Sequence, residues 1–207
     1  MKTIILTIAY MYFGLTIYAQ SAIDLNIDYM LRGNKYVASC IKDSNALGGF
    51  AHSENTPKIL NDSNNFIEKG FFLKIDTTSI ITISKKYNGY NFYIVNKSDS
   101  TIKLNASDSR ISVVLEAYVD KKWQEIEYLP SSWWGNSRHK VFIRSNECWK
   151  FSIPKFTGQI KTTIRYKLII GLDQYIYSNA IVSSINRKQL TERQGYQSQG
   201  IMDPYED

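Results

Sequence analysis

Apolar and polar residues alternate along much of the second half of the chain, with the two-residue period that is typical of β-strands. Residues 158–170 (GQIKTTIRYKLII) are the longest example: Ile164 and Tyr166 point to one side, and Arg165 and Lys167 point to the other. Such a pattern predicts a strand with one buried and one solvated face. Shorter apolar or alternating runs occur at residues 71–75, 80–83, 90–95, 101–105, 111–119, 123–128, 141–143, 149–153, 175–177 and 181–185.

Turn sequences, and not helical patterns, separate these runs. We expect a hairpin at residues 96–100, a tight turn at residues 120–122 and a turn at residues 171–174, where polar or glycine-containing segments join two apolar runs. Seven or more short strands without intervening helices predict an all-β fold, an antiparallel two-sheet sandwich over residues 71–190. The composition agrees, since 15 Tyr, 9 Phe and 4 Trp suit a pleated, half-buried surface.

The segments on either side of this region lack a sustained period. Residues 20–70 combine short apolar stretches with turn sequences, which predicts an irregular N-terminal region with short strands or one short helix. Residues 191–207 are polar and without periodicity, so we expect a mobile tail there.

The first 19 residues differ from everything that follows. Lys2 supplies one positive charge, residues 3–16 are uncharged and mostly apolar, and the small Ala19 precedes Gln20. This combination is typical of a secretory signal peptide, and the apolar stretch is shorter than the ~20 residues of a membrane span. We therefore expect a mature protein that begins near Gln20, is periplasmic or extracellular, and carries no transmembrane segment.

The charge balance argues against a nucleic-acid partner. Removal of residues 1–19 would leave 24 basic against 19 acidic side chains, a net charge of about +5. The excess is spread along the sequence without the dense Lys/Arg clusters of a nucleic-acid groove. We interpret it as favouring solubility, with some attraction to anionic polymers of the envelope.

The chain contains two cysteines, Cys40 and Cys148. Cys40 lies some twenty residues too late to be the acylated cysteine of a lipoprotein, so we expect a soluble, unanchored product. In an oxidising compartment the pair could form one disulfide, whose loop of roughly 100 residues would add about 4–5 kcal/mol on the entropic account. The alternative is two separate buried thiols that pack as small hydrophobic groups.

Four segments of the second half form a distinctive set: 123–127 (WQEIE), 135–137 (GNS), 154–162 (PKFTGQIKT) and 176–179 (IYSN), the last continuing to residues 185–186. With these segments the chain resembles a group of uncharacterised secreted proteins from Bacteroidota-type bacteria. The resemblance covers about residues 85–190 and implies an immunoglobulin-like or fibronectin-like sandwich without an established activity. The chain has Trp133–Trp134 where those proteins often carry a cysteine, so a loop disulfide is not implied.

The loop at residues 131–139 (SSWWGNSRH) is the strongest candidate for a binding site. Trp133 and Trp134 could stack on a sugar ring or anchor a protein, and Arg138 and His139 could add polar contacts. The alternative is that one tryptophan closes the open end of the sandwich while the other packs on a neighbouring strand. Exposure of the pair in the folded protein would separate the two interpretations.

Catalytic motifs are absent from the sequence. His52 and His139 are the only histidines, and Cys148 follows His139 by nine residues, so a Cys–His nucleophile pair is formally open. No third orienting group is evident, and no nucleophile-elbow, zincin or paired-cysteine metal motif occurs. We expect no metal, no cofactor and no enzymatic activity.

Two charged groupings have simpler explanations than a site. Glu125 and Glu127 alternate on one predicted strand, and we expect a solvated face opposite Arg165 or Lys167 rather than a glycosidase pair. The basic strip Lys161, Arg165 and Lys167 could meet an anionic polymer, but it also suits a plain solvent-facing side.

These observations predict an exported, non-enzymatic β-sandwich module that binds a protein or glycan in the cell envelope or outside the cell. Two alternatives stay open. One is a secreted enzyme or enzyme inhibitor that uses the His139 region. The other is a purely structural module.

Overall fold

The computed structural model describes residues 21–61, 66–130 and 135–195, and these residues form an all-β fold. Helix in these ranges is limited to two 3₁₀ turns, Gly135–Ser137 and Arg187–Leu190. The strands in chain order are β1 (Leu31–Arg32), β2 (Lys58–Ile59), β3 (Gly70–Ile83), β4 (Tyr87–Lys97), β5 (Ile102–Ser107), β6 (Arg110–Ile111), β7 (Val113–Val119), β8 (Lys122–Glu125), β9 (Glu127–Tyr128), β10 (Arg138–Ile143), β11 (Glu147–Pro154), β12 (Ile160–Gly171), β13 (Gln174–Tyr177) and β14 (Ile181–Ile185).

The strands form two large antiparallel sheets and two small ones. One large sheet has the order β2-β11-β4-β3, and the other has the order β13-β12-β7-β8, with β14 also paired to β12. A three-stranded antiparallel sheet has the order β10-β5-β6, and β1 pairs with β9 in parallel. The predicted all-β, antiparallel fold class is confirmed.

The core lies between the large sheets, in a sandwich-like arrangement. The rings of Phe92 on β4 and Tyr166 on β12 stack across it with 4.1 Å between centroids. Trp149 on β11 is fully buried, and its indole N–H donates to the carbonyl of Ala38 at 3.0 Å. The core is therefore built from both sheets and is closed on one side by the N-terminal region.

The predicted facing of the strand at residues 158–170, which is β12, is confirmed. Ile164, Tyr166 and Leu168 are buried, whereas Lys161 is exposed. Alternation predicts this correctly because a strand packed on one face has side chains of period two.

The turns predicted at residues 120–122 and 171–174 are confirmed, and each joins two paired strands. Strands β7 and β8 are joined through Asp120 and Lys121, which have φ of 53° and 61°. Positive φ at both central residues is the geometry of a two-residue turn that matches strand twist. Strands β12 and β13 pair across residues 171–174.

The hairpin predicted at residues 96–100 is wrong. Strand β4 pairs with β3 and β11, whereas β5 pairs with β10 and β6, so this connection passes from one sheet to another. The buried Asn96 explains the turn in direction, because its amide N–H₂ donates to the carbonyls of Ser100 at 2.8 Å and Ile143 at 3.1 Å. These bonds draw the connection towards the end of β10.

The N-terminal region is largely irregular, with the short strands β1 and β2 in its described part. Several of its apolar residues nevertheless belong to the main core: Leu25, Leu31 and Val37 are all buried there. The buried residues between positions 25 and 37 therefore pack into the sandwich, whereas residues 38–61 are half-buried or exposed.

The start of the predicted mobile tail is also packed. Gln194 is buried, its N–H donates to the carbonyl of Met30 at 3.0 Å, and its side-chain oxygen accepts from the N–H of Arg32 at 3.0 Å. The prediction of a tail from Thr191 is therefore wrong for residues 191–195, because these residues complete the hydrogen bonding of the N-terminal region. Residues 196–207 lie outside the described ranges.

No helix within the described ranges is both long and apolar enough to cross a membrane. The predicted signal peptide, residues 1–19, lies outside these ranges.

Candidate functional site

Of the four residues predicted to form a binding site, two lie within the described residues and two do not. Trp133 and Trp134 lie outside the described residues. Arg138 and His139 begin β10 directly after the 3₁₀ turn, with Arg138 exposed and His139 buried. The described part of the site therefore consists of β10 and what surrounds it.

His139 is fully engaged by its neighbours. Its Nε2 accepts a hydrogen bond from the backbone N–H of Ser109 at 2.9 Å, so the neutral ring carries its proton on Nδ1. Nδ1 lies 3.3 Å from the carbonyl oxygen of Lys140. The ring also stacks on Phe50, with 3.7 Å between centroids and 13° between planes. In this arrangement the imidazole acts as a hydrogen-bond acceptor that holds the backbone at Ser109.

The turn between β5 and β6 explains why this acceptor is needed. Asp108 and Ser109 have φ of 47° and 62°, which turns the N–H of the buried Ser109 towards β10. A buried N–H without an acceptor costs about 1–3 kcal/mol, and His139 removes that cost.

Phe50 brings the two histidines of the chain together. The centroid of its ring lies 4.9 Å from that of His52, and the same ring stacks on His139. A pocket of about 520 Å³ opens beside these rings, beneath residues 46–53. Within the described parts of the chain, no group of three His, Cys, Asp or Glu side chains is placed to hold a metal.

Residues 39–43 run along the free edge of β10 and close it. The Ser39 hydroxyl accepts from the N–H of Phe142 at 2.8 Å, and the Asp43 carboxylate accepts from the N–H of Lys140 at 2.7 Å. The Lys140 N–H lowers the pKa of Asp43 by stabilising the ionised carboxylate. These side chains satisfy an edge that would otherwise be open to pairing with another strand.

A larger cleft of about 830 Å³ lies on the other side of this segment, and we call it the basic cleft. The outer faces of β5 and β10 form its floor, and residues 41–45 form a wall. Its charged lining consists of Lys42, Lys103, Arg138 and Lys140, against the single carboxylate of Asp43, within the described residues.

The charges of the basic cleft are largely uncompensated. Asp43 is committed to the backbone N–H groups of Lys140 and Asn45, at 2.7 and 3.1 Å. Lys140 Nζ donates to the neutral side chain of Asn105. No ion pair forms between Lys42, Lys103 or Arg138 and any carboxylate in the described ranges. The cleft is therefore electropositive.

The basic strip predicted on β12 differs from the basic cleft, because carboxylates compensate most of its charge. Lys167 lies 2.9 Å from Glu116 and 2.7 Å from Glu125, which confirms the expected partner of Glu125. Arg165 also bonds Glu116, at 3.0 Å. These ion pairs neutralise two of the three positive charges of the strip.

Arg165 is further held between two aromatic rings. Its guanidinium lies 4.0 Å from the ring centroid of Trp123 and 3.8 Å from that of Tyr177. Such cation–π contacts stabilise the outer face of the sheet and occupy the ring faces that a ligand would use.

The prediction that Glu127 shares a solvated face with Glu125 is wrong. Glu125 is exposed, but Glu127 is only 2% exposed and lies 3.4 Å from the buried Lys35. The alternation fails because β8 ends at Glu125 and the buried Ile126 is followed by β9, which pairs with β1.

Cys40 and Cys148 are free thiols in the structure, so the disulfide that the sequence allowed is not formed here. Cys148 packs with Tyr93 and Val95 in a small apolar cluster on the outer side of its sheet. Burial raises the pKa of the Cys148 thiol, and burial followed by the charge of Glu147 raises that of Cys40. Both thiols are therefore poor nucleophiles at neutral pH.

The basic cleft was not predicted from the sequence. Its lysines lie at positions 42, 103 and 140 and share no motif. They meet only because β5 pairs with β10, which places Lys103 opposite Phe142 and Asn105 opposite Lys140, and because residues 39–43 follow the β10 edge.

Comparison of the chain with protein-family models, with curated proteins and with solved structures finds no match.

Proposed function

We propose that this protein is an exported, non-enzymatic β-sandwich module that binds a protein or a glycan in the cell envelope or outside the cell. The contact surface is the basic cleft, into which the predicted site residue Arg138 projects. Trp133 and Trp134, the aromatic residues predicted for binding, precede Arg138 in the sequence by five and four residues.

One observation carries the proposal: a cleft of about 830 Å³ whose four basic side chains form no ion pair with any carboxylate of the described residues. Pockets of this size with convergent polar groups are the usual places for ligands. The engagement of both His139 nitrogens favours binding over catalysis, since a general base needs a free nitrogen within reach of substrate.

Export is part of the proposal and has a separate test. The full chain is expressed in a bacterium, and the mass of the product recovered outside the cytoplasm is measured. We expect a polypeptide that begins at Gln20. An unprocessed chain that stays in the cytoplasm would contradict export. It would not bear on the binding surface, which has a test of its own.

The binding surface is tested by filling the cleft. Asn105 is exposed on the cleft floor, so Asn105→Trp should obstruct it, whereas Val182→Trp adds the same ring to an exposed site on β14. The probes are an array of defined glycans and isolated peptidoglycan. We expect wild type and Val182→Trp to bind at least one probe and Asn105→Trp to bind it at least tenfold more weakly. Equal binding by both variants would overturn the proposed surface, and no binding by wild type would overturn its glycan-binding role.

A further inference from the structure

We infer that the ligand of the basic cleft is an acidic polysaccharide, a glycan that carries carboxylate or sulfate groups. This inference rests on the proposed function and narrows it to one chemical class. It depends on the charge, the hydrogen-bonding groups and the shape of the cleft.

The charge comes from three separate parts of the chain. Lys42 projects from the wall, Lys103 from β5, and Arg138 and Lys140 from β10. Arg138 and Lys140 are two residues apart on one strand, so their side chains leave the same face about 7 Å from one another. Cationic groups in a row, within a groove with protein walls, attract and orient a linear chain of anionic groups.

The polar floor between these charges suits sugar hydroxyls. Asn105 lies opposite Lys140 in the β5–β10 register and is exposed on the cleft floor. Its amide can both donate and accept hydrogen bonds, as the hydroxyls of a sugar ring require. The half-buried ring of Phe142, on the same face, offers an apolar contact for the C–H side of such a ring.

The same lining fits a nucleic acid poorly. Single-stranded nucleic acids bind through aromatic faces on which successive bases stack. Among the described lining residues, the aromatic rings are those of Phe142, which is half-buried, and His139, whose face is covered by Phe50. The cleft therefore offers positive charge and hydrogen-bonding groups but few aromatic faces, which favours a hydroxylated polyanion over a nucleic acid.

Two polymers with one backbone test the inference. Polygalacturonate carries a carboxylate on each ring, whereas its fully methyl-esterified form carries none and differs otherwise only by the uncharged ester methyl groups. Binding of each to the full chain is measured by calorimetry at about 20 and about 200 mM salt. Native heparin and its desulfated, N-acetylated and carboxyl-reduced form make a second pair of charged and neutral polymers, and single-stranded DNA is the comparison polyanion.

We expect at least one acidic polymer to bind at least tenfold more tightly than its neutral form, with affinity that falls as salt rises. Lys103→Gln combined with Lys140→Gln should remove this preference. The control, Lys161→Gln combined with Lys188→Gln, loses the same charge from exposed sites outside the cleft and should retain it.

The alternative results are distinct. Equal binding of charged and neutral forms, lost in Asn105→Trp, would overturn the acidic ligand while leaving the proposed function in place. Tighter binding of DNA than of either acidic glycan would also overturn it. No binding of any polymer would overturn both the ligand class and a glycan-binding role.

Discussion

The ammonium of Lys35 lies 3.4 Å from a carboxylate oxygen of Glu127, and both side chains are almost completely shielded from solvent. The hydroxyl of Tyr166 lies 3.3 Å from the same oxygen. Burial, followed by the charge of Glu127, raises the pKa of Tyr166 well above its usual range, so the hydroxyl stays protonated and donates. These three groups join the N-terminal segment to β9 and β12.

The first prediction concerns this buried pair. Glu127→Ala leaves the Lys35 ammonium buried without its carboxylate, which typically costs about 3–5 kcal/mol of the free energy of unfolding. Glu125→Ala, which removes an exposed carboxylate from Lys167, should cost about 1 kcal/mol or less. Urea denaturation of the two variants measures the difference. Equal losses would show that the buried pair does not lock the N-terminal segment.

The second prediction concerns His139. His139→Ala deprives the buried Ser109 N–H of its acceptor and Phe50 of its stacking partner, so we expect a loss of about 1–3 kcal/mol. Hydrogen exchange at the Ser109 amide should accelerate, and residues 46–53 should become more sensitive to protease. Arg138→Ala, one residue away and exposed, is the control and should change neither. A stable His139→Ala protein with a protected Ser109 amide would contradict the structural role.

The third prediction is a dependence on pH. The pKa of Asp43 is lowered in the folded protein, chiefly by the Lys140 N–H. A lowered pKa means that the contribution of Asp43 is present above the unfolded value of about 3.9 and is lost as the pH falls through the folded value. Below about pH 4, residues 41–45 should therefore begin to separate from β10.

Protection of the Lys140 amide from hydrogen exchange measures this separation. In wild type, protection at that amide should fall on acidification, after correction for the intrinsic effect of pH. Asp43→Asn cannot be protonated in this way and should show no such acid step. An acid step of the same size in both proteins would assign it to another group.

The fourth prediction concerns the cysteines. The denatured, unreduced protein should react with two equivalents of a thiol reagent, since Cys40 and Cys148 are both free. In the folded protein Cys148 should react far more slowly, because it is buried and its pKa is raised by burial. In Cys40→Ser the remaining cysteine is Cys148, so the rate of its reaction is measured by itself. A reading of no free thiol in the denatured protein would show that the two cysteines are paired in solution.

The sequence predicts most of the fold because burial of one sheet face requires apolar and polar residues to alternate within each strand. The alternation of β12 identified Tyr166 as buried and Lys161 as exposed. The turn at residues 120–122 was recognisable because it joins two strands that pair with each other. Local pattern fails where a single side chain redirects the chain, as Asn96 does after β4.

The site was harder to predict, because its chemistry depends on distant pairings. Arg165 and Lys167 form the most regular basic pattern in the sequence, yet Glu116 and Glu125 neutralise them. Lys103 and Lys140 form no pattern, yet they line one cleft because β5 and β10 are neighbours. A sequence shows which charges exist, whereas pairing between strands determines which of them remain available.

An NMR titration tests the basic cleft most directly. Backbone amide spectra of the isotope-labelled full chain are recorded as an oligomer of galacturonic acid is added. The account predicts that the largest shifts occur at Lys103, Asn105 and Lys140 and in residues 41–45, and that they vanish in Asn105→Trp. Shifts centred instead on Arg165 and Tyr177, or no shift at millimolar oligomer, would contradict it.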